Sequence, residues 1–348
     1  MPDDEEKRSV PRKVRERDLE FQVSRSGRRR PARRAEGTAP PGRRTGRTAG
    51  TAVSGLFERN KNVTDGDDID PHGSRHMTAI TFDHTATGYG LPHVRCLAHA
   101  ARLAYKDETE VEETARGWGF DRVRSFRVPL SRPFVLEDTQ AYVMAGDDMI
   151  VIAFRGTEPE QVRDWLSDVN APQVREHSCE GRVHWGFQRA LDAVYSELSG
   201  TLREFRDSDQ TVWVTGHSLG GALAMLAAAR LHFADDVLAD GVYTFGQPRT
   251  CDPALARAYE QAFQGRMYRF VNNNDIVAQV PPEPLYRHVS EVRHIDAGGR
   301  IREKPMSVLG GLTDSFEGHT ADVFSPGADA LRDHSMNAYI THLDAAAH

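Results

Sequence analysis

The sequence predicts an α/β protein with a mostly parallel central sheet and helices on both faces. Three observations predict it. Runs of β-formers alternate with helical segments along most of the 348 residues. One of those strands passes through a tight glycine turn directly into a helix. The residues best suited to chemistry fall just beyond strand ends, where ligands lie in sheets of this kind.

The chain divides by composition into an arm, residues 1–76, and a folded domain, residues 77–348. From Met1 to about Gly50 the arm is thick with arginine, as in Arg28-Arg29-Arg30, Arg33-Arg34 and Arg43-Arg44, mixed with Pro, Gly, Thr and Ala. Such a segment cannot bury enough apolar surface to order itself, so a disordered, solvated arm is expected. The whole chain nevertheless carries a formal charge of −7, which makes the remainder acidic. Arginines alone would suit nucleic acid or anionic lipid, but Phe21 is the one aromatic among them, which argues against a nucleic-acid partner. Met77 is an alternative start for the domain.

Within the domain, Val94, Leu97, Ala98, Ala101, Leu103 and Ala104 form an apolar stripe that predicts a helix over 92–106. Residues 140–145 and 149–154 read as two strands joined by Gly146-Asp147-Asp148, a hairpin signal. A short turn-flanked segment at 183–186 leads into helical periodicity over 187–205. Then follow a strand at 211–214, a helix from Ala222, a strand at 242–245, a helix at 253–263, and strands at 267–271 and 292–295. Periodicity is weak over 298–327, which stays unassigned, and a helical run follows His334 to Leu343.

The strand at 211–214 enters Gly216-His217-Ser218-Leu219-Gly220, the G-x-S-x-G spacing of a nucleophile elbow. A serine hydroxyl is a weak nucleophile near neutral pH, so it needs an imidazole to take its proton and an acid to orient that imidazole. Asp275 lies just past a strand end and is favoured as the acid over Asp235, Asp236 and Asp252, which sit where capping or solvated residues belong. His334, ahead of the last helix, is modestly preferred as the base over His319. An oxyanion site needs two fixed donors. Leu219 offers one backbone N–H, and Thr157, after the strand ending at Phe154, offers the other while its hydroxyl locks the loop.

These residues lie within a longer set of matching blocks: Ile152-Ala153-Phe154-Arg155-Gly156-Thr157, Val183-His184-Trp185-Gly186-Phe187, Gly216 to Ala222, Thr244 to Arg249, Asn274-Asp275-Ile276-Val277 with Pro281-Pro282, and Asp333-His334 with Tyr339. In this order the chain resembles the class 3 lipases, the fungal-lipase-like branch of the α/β-hydrolases. The resemblance implies an α/β-hydrolase fold with a short lid helix and a lipase-type carboxylic ester hydrolase needing no cofactor. By it, Ser218, Asp275 and His334 form the triad, Thr157 and Leu219 form the oxyanion hole, and His184 is structural. Phospholipase A1 and feruloyl or aryl esterase are alternatives on the same triad, and a non-catalytic lipase-like interaction module is the alternative from another class.

Val162, Trp165, Leu166 and Val169 fall at i, i+3, i+4 and i+7, one apolar helix face. They are the expected lid residues and substrate contacts, and they imply peripheral contact with a lipid interface. Cys96, Cys179 and Cys251 are odd in number and far apart, with no Cys-x-x-Cys or Cys/His cluster, so no metal is expected. With no apolar leader or membrane-spanning run in view, the expected setting is cytoplasmic.

Overall fold

The computed structural model describes residues 82–86, 88–129, 138–157, 172–296, 298–303 and 332–346. The arm, the lid face of Val162, Trp165, Leu166 and Val169, and His319 lie outside the described residues.

Helix α1 (Leu91–Leu103) buries Val94, Leu97, Ala98 and Ala101, and α2 (Glu108–Gly117) starts where the Asp107 side chain accepts from the Glu110 N–H. Strands β1 (Arg122–Pro129), β2 (Asp138–Ala145) and β3 (Met149–Phe154) pair antiparallel in sequence. A small hairpin, β4 (Gln173–Arg175) and β5 (Arg182–His184), leads into α3 (Trp185–Phe205). Then come β6 (Thr211–His217), α4 (Leu219–Phe233), β7 (Gly241–Phe245), α5 (Pro253–Ala262), β8 (Met267–Asn272), β9 (Glu291–Ile295), β10 (Ile301–Arg302) and α6 (Met336–Ala345).

The main sheet runs β1-β2-β3-β6-β7-β8-β9-β10, and its pairs from β3 through β9 are parallel. Side-chain alternation along each strand divides the core into two layers. Ile150, Ile152, Phe154, Val212, Val214 and Val242 pack with α3, α4 and α5 on one face. Met149, Val151, Ala153, Trp213, Tyr243, Phe245 and Phe270 pack with α1 and α6 on the other. Buried on every side, α4 uses small alanines to lie close between the sheet and α3, which explains why its sequence lacks an amphipathic stripe.

Apart from the lid helix, which falls outside the described residues, the predicted elements are present, with helices on both faces of the sheet. Four further elements are α2, β1, β4 and β10. The charged sequence Arg122-Val-Arg-Ser-Phe-Arg-Val-Pro129 hides β1, because its one buried side chain is Phe126. Its register with β2 and the ion pair of Arg124 with Glu204 hold this edge strand. Among the described residues no helix is long and apolar enough to cross a membrane.

Candidate active site

The parallel strands deliver their carboxyl ends side by side. Phe154 of β3 is in register with Gly216 of β6, His217 with Phe245 of β7, and Phe245 with Phe270 of β8. Thr157, Ser218, Gly246 and Asp275 each follow one of these ends by a few residues and so converge on one edge of the sheet.

Ser218 is the hinge between β6 and α4, with φ at 58°, a left-handed conformation held by the elbow. A β-carbon on Gly216 would strike the Gly220 carbonyl, and one on Gly220 would strike the backbone of Phe154 and Arg155. Those two glycines therefore allow the strand, the helix and β3 to meet. The Ser218 N–H donates to the Phe245 carbonyl at 2.9 Å, tying the elbow to β7. Leu219 opens α4, so its N–H is one of the unpaired donors of a helix N-terminus.

Asp275 is buried and faces His334, whose Nδ1 lies 2.9 Å from both carboxylate oxygens. The Val277 N–H donates to one Asp275 oxygen at 2.9 Å and the Tyr339 hydroxyl to the other at 2.6 Å. Burial alone would raise the Asp275 pKa, but His334 and Tyr339 outweigh it and hold the carboxyl below its ordinary value. Asp333 clamps the His334 turn to the tail of β8. Its carbonyl accepts from Asn272 Nδ2 at 2.8 Å and its carboxylate from Asn273 Nδ2 at 2.9 Å.

Neither Ser218 Oγ nor His334 Nε2 has a hydrogen-bond partner among the described residues, and both atoms are buried. The same is true of Thr157 Oγ1, so the Thr157 hydroxyl does not lock its loop as expected. The lock comes from Tyr105 instead, which lies against Gly156 and carries Arg155 over its ring at 5.5 Å. A pocket of about 710 Å³ opens over this edge, lined by Thr157, His217 and His334 and by Leu103, Trp118 and Met336.

The competing residues have other tasks. Asp252 caps α5 by accepting from the Leu255 N–H, and Asp235 accepts from the Tyr195 hydroxyl. His184 caps α3 and stacks on Phe187. Sequence reasoning missed Tyr105, Gly246 and the Asp333 clamp. Gly246, directly after a strand, offered a signal, whereas Tyr105 offered none because all its partners, His217, Arg155 and Gly156, are distant in sequence.

Residues 151–285 match the family model for class 3 lipases. Over 166 residues the chain is 38% identical to a lipase of Rhizomucor miehei, an alignment spanning 45% of each protein. It is 35% identical over 156 residues to a secreted mono- and diacylglycerol lipase of Malassezia restricta, covering 40% of this chain and 50% of that one. The chain thus spans about half the length of the curated relatives it matches. The solved triacylglyceride lipase of Rhizomucor miehei superposes with a TM-score of 0.52 at 26% identity, over 70% of this chain and 91% of that one. The fold is the α/β-hydrolase fold.

The expectation of a cytoplasmic protein is corrected by these relatives, several of which are named as secreted and so support an extracellular protein. That expectation rested on seeing no apolar leader or membrane-spanning run, and such an absence does not decide where a chain acts. Residues 151–285, the stretch that matches the class 3 lipase model, contain the elbow, Thr157 and Asp275, and the likeness to class 3 lipases is carried by that stretch.

Proposed function

We propose that this chain is a carboxylic ester hydrolase of the lipase type, acting outside the cell on acylglycerol or other lipid esters. Ser218 Oγ attacks the ester carbonyl carbon while His334 Nε2 takes its proton. The tetrahedral oxyanion is held by the backbone N–H groups of Leu219 and Thr157, the alcohol leaves with the proton from His334, and water then releases the acyl group by the same route. Asp275, ionised below its ordinary range, stabilises the imidazolium and fixes the tautomer that leaves Nε2 free to act. The observation that carries the reading is the bond of His334 Nδ1 to both oxygens of Asp275 at 2.9 Å. The test is hydrolysis of p-nitrophenyl esters of increasing chain length beside an emulsified triglyceride. Ser218→Ala is expected to lose about 10⁴-fold or more in kcat, and retained activity in that variant overturns the proposal. Peripheral contact with a lipid interface belongs to the same proposal, and it predicts that activity rises when the ester exceeds its solubility limit.

One observation favours a second reading, a phospholipase A1. Arg102 and Lys106 line the pocket beside the base, and Arg102 has no carboxylate partner among the described residues. A guanidinium there suits a phosphate headgroup. Comparing kcat/KM on a phospholipid and a diacylglycerol with matched acyl chains, in the wild type and in Arg102→Met, separates the two readings. Phospholipase A1 is supported if the variant loses rate on the phospholipid alone.

A further inference from the structure

Tyr105 lies two residues past the end of α1, half-buried against the elbow, where its hydroxyl sits 2.7 Å from His217 Nδ1. His217 is the last residue of β6, and its Nε2 lies 2.7 Å from the backbone carbonyl of His334. A carbonyl oxygen can only accept, so His217 Nε2 carries the proton. His217 Nδ1 is then an acceptor, and the Tyr105 O–H donates to it. The Tyr105 hydroxyl also lies directly against Gly156, where a β-carbon would strike it. The donors run in one direction: Tyr105 to His217, and His217 to His334. Aligned bonds in a buried site polarise one another.

Burial, and then the nearby His334, lower the His217 pKa to about 3. The His217 ring therefore remains neutral while the His334 ring, 4.6 Å away, gains its proton during turnover. An apolar ring would fill this space without the cost of burying two polar groups, so packing alone does not account for the pair.

Resting on the ester hydrolase reading, we infer that Tyr105 and His217 are positioning residues. They tie the Gly156–Thr157 turn, the elbow and the His334 backbone into one unit, so that the oxyanion donor and the base hold a fixed separation. Both border the pocket, but their role is to act through the base and the oxyanion turn. Their effect falls on kcat, because a base displaced by an ångström costs rate far more than binding.

The experiment uses the full chain with p-nitrophenyl butyrate. Tyr105→Phe and His217→Phe are each expected to lower kcat about 10- to 100-fold with KM within about twofold. The double variant is expected to be no worse than the weaker single, since both break the same unit, and His217→Gln, which restores the donor to the His334 carbonyl, recovers most of the loss. Unchanged kcat, losses that multiply in the double variant, or an effect confined to KM would each overturn the inference. Should His217→Phe fail to fold, Tyr105→Phe removes one oxygen atom and suffices. In that variant the proton NMR signal of His334 Nδ1–H is expected to shift, and an unmoved signal counts against the coupling. If the wild type shows no Ser218-dependent hydrolysis, the hydrolase reading fails instead, and the NMR arm still decides the coupling.

Discussion

A β-carbon on Gly246 would stand 2.7 Å from the Asp275 carboxylate and 2.9 Å from the His334 ring, and φ at this residue is +59°. Gly246→Ala is therefore expected to cost about 1–3 kcal/mol from backbone strain and to push apart the pair it abuts. The check is a denaturant titration beside a kcat measurement, with kcat down about 100-fold or more. Asp275→Asn tests the other side of that contact. Loss of the carboxylate frees the imidazole to take the wrong tautomer, and kcat is expected to fall about 10³- to 10⁴-fold with little change in KM. Both residues were visible in the sequence, but unequally. Asp275 could be ranked by its distance from a strand end, whereas Gly246 looked like any glycine in a turn, because the atoms that exclude a side chain there come from the loop after β8 and the distant His334 turn.

At the scale of elements, two polar connections hold parts that the apolar core does not reach. Asp333 joins the turn bearing His334 to β8 through Asn273, with the Asn274 N–H at 3.4 Å. Asp333→Ala is expected to lower stability by only about 1–2 kcal/mol yet to lower kcat about tenfold or more. A fall in melting temperature with unchanged kcat would show that the clamp does not position the base. Glu176, directly after β4, is fully buried and pairs with Arg230 of α4 at 2.8 Å, and Arg230 also reaches Asp192 of α3 at 2.6 Å. Removing Glu176 leaves the buried Arg230 with only the exposed Asp192 carboxylate, so Glu176→Ala is expected to destabilise by about 3 kcal/mol in a urea titration. The strands and helices that alternate apolar and polar residues were legible in the sequence. Strand β1 was not, because register with β2 and ion pairs to α3, rather than burial, make it a strand.

Across the whole molecule, His93, His99, His217 and His288 share one property: burial, first among the causes, lowers the pKa of each, that of His99 to about 4 and that of His217 to about 3. The unfolded chain binds protons at these sites from pH ~6.5 downward, while the folded chain refuses them. Stability is therefore fully present above that pH and falls as the pH drops toward the folded values, by up to about 1.4 kcal/mol per pH unit for each histidine. A melting temperature that declines from pH 7 to pH 4.5, with a shallower decline in His99→Gln, is the expected outcome; a flat profile would contradict it. Below that range the depressed Asp275 adds its own loss, since its stabilising charge disappears only as pH falls through its lowered pKa.

By itself the sequence determined the order of strands and helices, the strand–turn–helix around Ser218, and the placement of Asp275 and Thr157 just past strand ends. Those features are local, set by hydrophobic period, glycine spacing and distance from a strand terminus. Only the tertiary structure decided between partners. It brought His334 onto Asp275 across 59 residues, assigned Asp252 and Asp235 to structural roles, and drew Tyr105 to His217 across 112. Such choices depend on which chain segments the parallel register brings to one edge of the sheet, and no residue's own chemistry carries that information.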